Sequence, residues 1–187
     1  MSTGSFSSRT RELEDVFFKQ RDEELLRALR EQVALKEKKK ALADASGISD
    51  EEVLDHLHQL DISTETLAAV ALIPLIAVAW ADGSIDAKEG NAVMAAAEQQ
   101  GLKKGHPGYQ LLGRWLEQRP EPRLLRVWKG YVSGLRDKLG DATTDALKRD
   151  VLGRARAVAE AAGGLLGLGN KVSKAEQAVL EDLEKAF

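Results

Sequence analysis

Apolar positions recur at helical steps along almost the whole chain, and no stretch shows the alternation of a half-buried strand. The clearest stripe runs Leu124, Trp128, Val132, Leu135 and Leu139, at steps of 4, 4, 3 and 4. Leu147, Val151, Ala155, Val158 and Ala162 repeat it after the break at Gly140-Asp141. Residues 9–45 contain neither Gly nor Pro and carry ten basic against nine acidic residues, which predicts one long helix. Its stripe includes Leu13, Val16 and Phe17, then Leu25, Leu29 and Val33, and fades over Lys36 to Lys40, so part of this helix is expected to lie in solvent. The Ser/Thr/Gly-rich residues 1–8 ahead of it are expected to be disordered.

Punctuation between the stripes predicts the remaining helices. Gly47 ends the long helix, and Ser49 with Glu52 has the spacing of a capping box opening a short helix to about Leu60. Ser63 is then expected to cap sixteen residues without a charge, 66–81, predicted as a buried central helix kinked at Pro74. At about 24 Å it falls short of the roughly 30 Å hydrocarbon layer of a bilayer. Its alanines allow neighbouring helices to approach on several sides. The turn Asp82-Gly83 follows, and a further capping box, Asp86 with Glu89, starts the next helix, which Gly101 stops. A short helix carries Leu111, Leu112, Trp115 and Leu116, and Pro120 and Pro122 precede the next. A last one is capped by Ser173 with Glu176. The expected fold is an all-α bundle of about eight helices, with a helical arm and short helix over 9–61 and the bundle proper over 62–187.

Composition narrows the chemistry. Without Cys there is no disulfide, thiolate metal site or thiol nucleophile, and with no apolar leader the expected location is cytoplasmic. The net charge of −3 conceals a net of −9 over 46–100 and +6 over 101–160, opposed segments that either face each other or steer partners. The Lys36 to Lys40 run is diluted by acids and has no aromatic neighbours, so no nucleic-acid partner is expected. GLLGLGNK, residues 164–171, misses the phosphate-binding loop because Asn170 stands in the Lys position and a helical pattern, not a strand, precedes it. His56 and His58 are two apart and fall on different helix faces, while no Ser lies in a nucleophile turn, so no catalytic residue is assigned and no enzyme is expected.

Asp82-Gly83-Ser84-Ile85-Asp86-Ala87-Lys88-Glu89 matches the last eight positions of an EF-hand loop, but the first and third positions would be Val78 and Trp80, which excludes a full calcium cage. Two readings remain. Gly83 is a left-handed helix terminus with Ile85 packed inward and Asp86–Glu89 a capping box, or Asp82, Asp86 and Glu89 hold a weak, partly hydrated divalent cation; no other cofactor is expected. The partner surface expected is the arm, through Phe17, Phe18, Leu25 and Leu29, facing another protein or a second copy of the chain.

AWADGSIDAKE, 79–89, with AAGG, 161–164, and VSKAE, 172–176, resembles the TerB-like tellurite-resistance family over residues 62–187. The resemblance implies a compact bundle of two similar helical halves, a role in stress response or at the envelope, and acidic residues at the hairpin turns suited to cations. At matching positions these are Asp82, Asp86 and Glu89, with Glu176 from the second half; Gly164 and Ser173 replace expected carboxylates. Residues 9–67 are more loosely similar to the zeta-type inhibitor of bacterial F1-ATPases, through ELEDVFF, DEELL and LDISTETLAA, which implies the order long helix, short helix, then the start of the bundle.

Overall fold

The computed structural model describes residues 4–162 and 172–187, which hold eight α-helices, a 3-10 turn and no strand. The helices are α1 (Gly4–Ser46), α2 (Glu51–Gln59), α3 (Ile73–Ala79), α4 (Ala87–Gln99), α5 (Pro107–Glu117), α6 (Arg123–Arg136), α7 (Asp141–Ala162) and α8 (Lys174–Glu184). The chain divides into two units, Met1–Lys40 and Ala41–Phe187. None of the described helices is long and apolar enough to cross a membrane.

The second unit is an all-α bundle built around α3. Leu72, Ile73, Leu75, Ile76, Val78 and Ala79 are buried, and α4, α5, α6, α7, α8 and the 3-10 turn Leu67–Leu72 all pack on this helix. A helix apolar on every side must be enclosed, and its small residues let the enclosing backbones come close. The amphipathic helices supply the rest of the core: Leu124, Val127, Trp128 and Val132 from α6, Val151, Ala155, Val158 and Ala159 from α7, and Leu180 and Leu183 from α8. The Trp128 ring meets Phe187 edge-on, with centroids 5.8 Å apart.

The uncharged stretch 66–81 departs from a single kinked helix. Pro74 has no N–H and its ring would clash with the carbonyl four residues back in an uninterrupted α-helix. The chain instead makes the 3-10 turn Leu67–Leu72 and begins α3 anew at Ile73, which leaves Pro74 in the first turn, where no amide donor is needed. Ser63 does not cap this segment; its N–H donates to Thr66 Oγ1 at 2.8 Å in a local turn.

Other boundaries also shift. α1 begins at Gly4 rather than Arg9, so a helix covers 4–8, where disorder was expected. Asp50, not Ser49, caps α2, accepting from the amides of Glu52 and Val53 at 2.9 and 3.1 Å. α2 belongs with the bundle rather than with the arm, because Leu42, Ile48, Leu54 and Leu57 are buried in the core. It lies close to α6, where a Cβ on Gly130 would lie 3.0 Å from Val53 Cγ2, so a side chain at this position requires Val53 to shift by a few tenths of an ångström. Residues 164–171, with the Gly-rich segment, lie outside the described residues.

Leu75 is completely buried at the centre of the bundle. Leu75→Ala is expected to lower stability by roughly 2 to 5 kcal/mol in urea denaturation. A loss well below 1 kcal/mol would place the side chain outside a tightly packed core.

Candidate functional site

The turn between α3 and α4 is set by local chemistry. Trp80 ends α3, and Gly83 adopts φ +98°, a left-handed conformation that glycine takes without strain, while its N–H donates to the Trp80 carbonyl at 3.1 Å. Ile85 packs against the core and fixes the register of the turn. Asp86 Oδ1 accepts from the amides of Lys88 and Glu89 at 2.7 and 2.8 Å, and Glu89 Oε2 accepts from the Asp86 amide at 2.8 Å. This is a complete capping box. Asp82 is exposed and accepts from the Ser84 amide at 3.0 Å. The start of α8 repeats the device: Glu176 Oε2 accepts from the Ser173 amide at 2.6 Å, and Ser173 Oγ accepts from the Glu176 amide at 3.2 Å.

The two glutamates of these boxes are the only buried acidic side chains among the described residues, with 4% of Glu89 and 6% of Glu176 exposed. Burial raises the Glu89 pKa above its ordinary value, the hydrogen bond from the Asp86 amide opposes that rise, and the charges of Asp86, Glu176 and Asp82 add to it. The box of α8 is therefore close enough to act on the box of α4. The echo between 86–89 and 173–176 indicates that the two helix starts are alike, but periodicity carries no information about their proximity. The cap of α5 is His106, a residue outside the Ser, Thr, Asp and Asn set by which a sequence marks helix starts. Its Nδ1 accepts from the Gly108 amide at 3.1 Å and so caps α5.

Asp82, Asp86 and Glu89 thus share one turn, each with an oxygen engaged by a backbone amide. Among the described residues no group of three or more His, Asp or Glu side chains is arranged to hold a metal ion.

The first unit carries the other candidate surface. Leu25, Leu26, Leu29 and Val33 of α1 are 61%, 51%, 49% and 56% exposed. At 100° per residue they fall on one face of the helix, within nine residues of sequence. Among its described residues this unit consists of one helix, so they offer no second element to cover that face. Leu25 and Leu29 are two of the four residues expected to meet a partner. Phe17 and Phe18 also lie in α1, but their side chains fall outside the described residues.

The raised Glu89 pKa has a defined effect on stability. The folded state holds this proton more tightly than the unfolded chain, so the contribution to stability is greatest below the unfolded carboxylate pKa and is lost as pH rises through the folded pKa. In Glu89→Gln the amide oxygen can still accept from the Asp86 N–H, while the ionisation is removed. Thermal unfolding of this variant is expected to show a flatter pH dependence just above the ordinary carboxylate range, with stability at neutral pH no lower than that of the wild type. A fall in melting temperature at neutral pH with an unchanged pH profile would mean that the carboxylate charge is not opposed by its surroundings.

No family model, no curated protein and no solved structure matches the chain.

Proposed function

We propose that this chain is a non-enzymatic protein-interaction module, a TerB-like bundle of a stress-response or envelope-associated system whose α1 engages a protein partner. The observation that carries this reading is the face of Leu25, Leu26, Leu29 and Val33, each about half exposed or more. Single exposed leucines are common on protein surfaces, whereas four on one helical face form the kind of apolar strip that helix pairing buries. The bundle retains a core of its own that begins at Leu42, so the helix can serve in contact without being needed for folding. The TerB-like likeness of 79–89 and 172–176 contributes the biological setting.

Deleting residues 1–34 tests the reading. Because the core starts at Leu42, the truncated chain is expected to keep its helical circular dichroism and a cooperative melt while losing partner capture or self-association. In the full chain, Leu25→Asp with Leu29→Asp is expected to produce the same loss with the melting temperature little changed. Unfolding on truncation, or unchanged capture by the double variant, overturns the proposal.

The alternative reading is a divalent-cation-binding sensor at Asp82, Asp86 and Glu89. It draws on the position of Asp82, Asp86 and Glu89 in one turn, where burial first, and then the charges of Asp86, Glu176 and Asp82, raise the proton affinity of Glu89. Melting curves with Ca²⁺, Mg²⁺ or Zn²⁺ decide it, because a ligand at 100 times its Kd stabilises by about 2.7 kcal/mol. On this reading Asp82→Asn with Asp86→Asn abolishes the cation-dependent rise.

A further inference from the structure

Between α3, α8 and the segment that leads into α6 lies a half-open cavity of about 240 Å³. Its floor and walls are apolar: Ile73, Ile76, Ala77, Leu124, Leu125 and Val179, with the side of the Trp80 indole. Two features keep the cavity from closing on itself. Trp80 Nε1 donates to the Trp115 carbonyl at 2.8 Å, which fixes the ring at the edge of the space rather than inside it. Pro120 and Pro122 restrict the backbone of the segment that forms the opposite rim.

The rim carries two charged side chains, and they are not equivalent. Glu121 is offset by Arg123, whose Nε lies 2.9 Å from Glu121 Oε2 in an ionic contact. No hydrogen bond is directed along that Nε–H, while Nη1 of the same guanidinium donates to Gln59 Oε1 at 2.6 Å. Arg119 is exposed at the mouth, and among the described residues its side chain has neither an ion pair nor a hydrogen bond. The cavity therefore combines an apolar interior with a guanidinium at its entrance that has no ion-pair partner among the described residues. A guanidinium presents a planar fork of donors that matches a carboxylate.

We propose that this cavity binds a small amphiphile with an anionic head, a medium-chain carboxylate whose hydrocarbon tail lies between α3 and α8 and whose carboxylate meets Arg119. At about 240 Å³ the cavity is smaller than the roughly 300 Å³ at which drug-sized ligand pockets begin, which excludes a two-chain lipid and suits a single short chain. The site belongs to the bundle alone and is independent of the α1 surface.

Calorimetric titration of the full-length protein with octanoate, octan-1-ol and octylamine, which share a tail and differ in head charge, tests the proposal. The expected order of affinity is octanoate, then octanol, then octylamine, with the carboxylate favoured over the alcohol by about two- to fivefold at low ionic strength, as befits an exposed charge. Arg119→Glu, a surface change, is expected to reverse the order. Ala77→Leu fills the cavity and is expected to abolish binding of all three. Intermolecular NOEs from the octanoate chain to the Trp80 ring in the wild-type protein locate the ligand whether or not the filled variant folds. Absence of saturable binding by any of the three, NOEs that bypass Trp80, or an order unaffected by Arg119→Glu would each overturn the assignment.

Discussion

Enclosure of α3 is the constraint on which the rest of the bundle depends. Residues 66–81 contain no charge, and at α3 apolar side chains point in every direction, so no single face can be left to water without exposing several of them. Five helices and the 3-10 turn must therefore surround it, and each needs an apolar stripe of its own to do so. At roughly 25 cal/mol per Å² of apolar surface buried, this enclosure outweighs any surface ion pair. The ion pairs that α8 makes with its neighbours, Lys129–Asp182 and Lys148–Glu184, are partly exposed and trim a geometry that packing has set.

Enclosure also explains why the ends of the helices are so explicitly capped. A helix that starts next to a buried element has its first amides near low-dielectric surroundings, where an unsatisfied donor costs about 1 to 3 kcal/mol. At α4 and α8 the side chains of Asp86 and Ser173 accept from helix amides, while Glu89 and Glu176 accept from the amides of the cap residues themselves, each with a carboxylate that is itself buried. For Glu89 the balance is visible: the hydrogen bond favours the charged form, while burial and three neighbouring carboxylates oppose it more strongly. The same residue therefore serves as a structural cap and as a group with raised affinity for a proton. Two neutral caps would leave no such opposition.

Much of this architecture was legible in the pattern of residues, and the parts that were not share a physical cause. The stripes of α6 and α7, the enclosed stretch 66–81, the left-handed Gly83 and both Glu-containing capping boxes follow from spacing, because they are local consequences of helical periodicity and backbone chemistry. The helix break before Pro74 is indistinguishable from a kink in the sequence, because a proline fits the first turn of one helix as well as the bend of another. Ser49 and Asp50 are adjacent capping residues, and only the backbone conformation at Asp50 chooses between them. The nearness of Glu176 to Glu89, the cavity beside Trp80 and the isolation of Arg119 are tertiary facts that no spacing encodes.

The two units obey opposite rules, and the contrast bears on what α1 is for. In the bundle the large aliphatic side chains of α3 have almost no exposed surface, while in the first unit Leu25, Leu26, Leu29 and Val33 present about half or more of theirs. Local terms are small for such a helix: an i,i+4 pair such as Arg27–Glu31 contributes about 0.2 to 0.5 kcal/mol. Lys, Glu or Gln at those four positions would have similar helix propensity and a better-solvated surface, so neither helix formation nor solubility accounts for leucine and valine there. Apolar choice at four positions on one face is accounted for by burial, and within its own unit α1 has nothing to bury it. The requirement that organises the bundle around α3, that apolar faces be covered, is left unmet on α1 among the described residues.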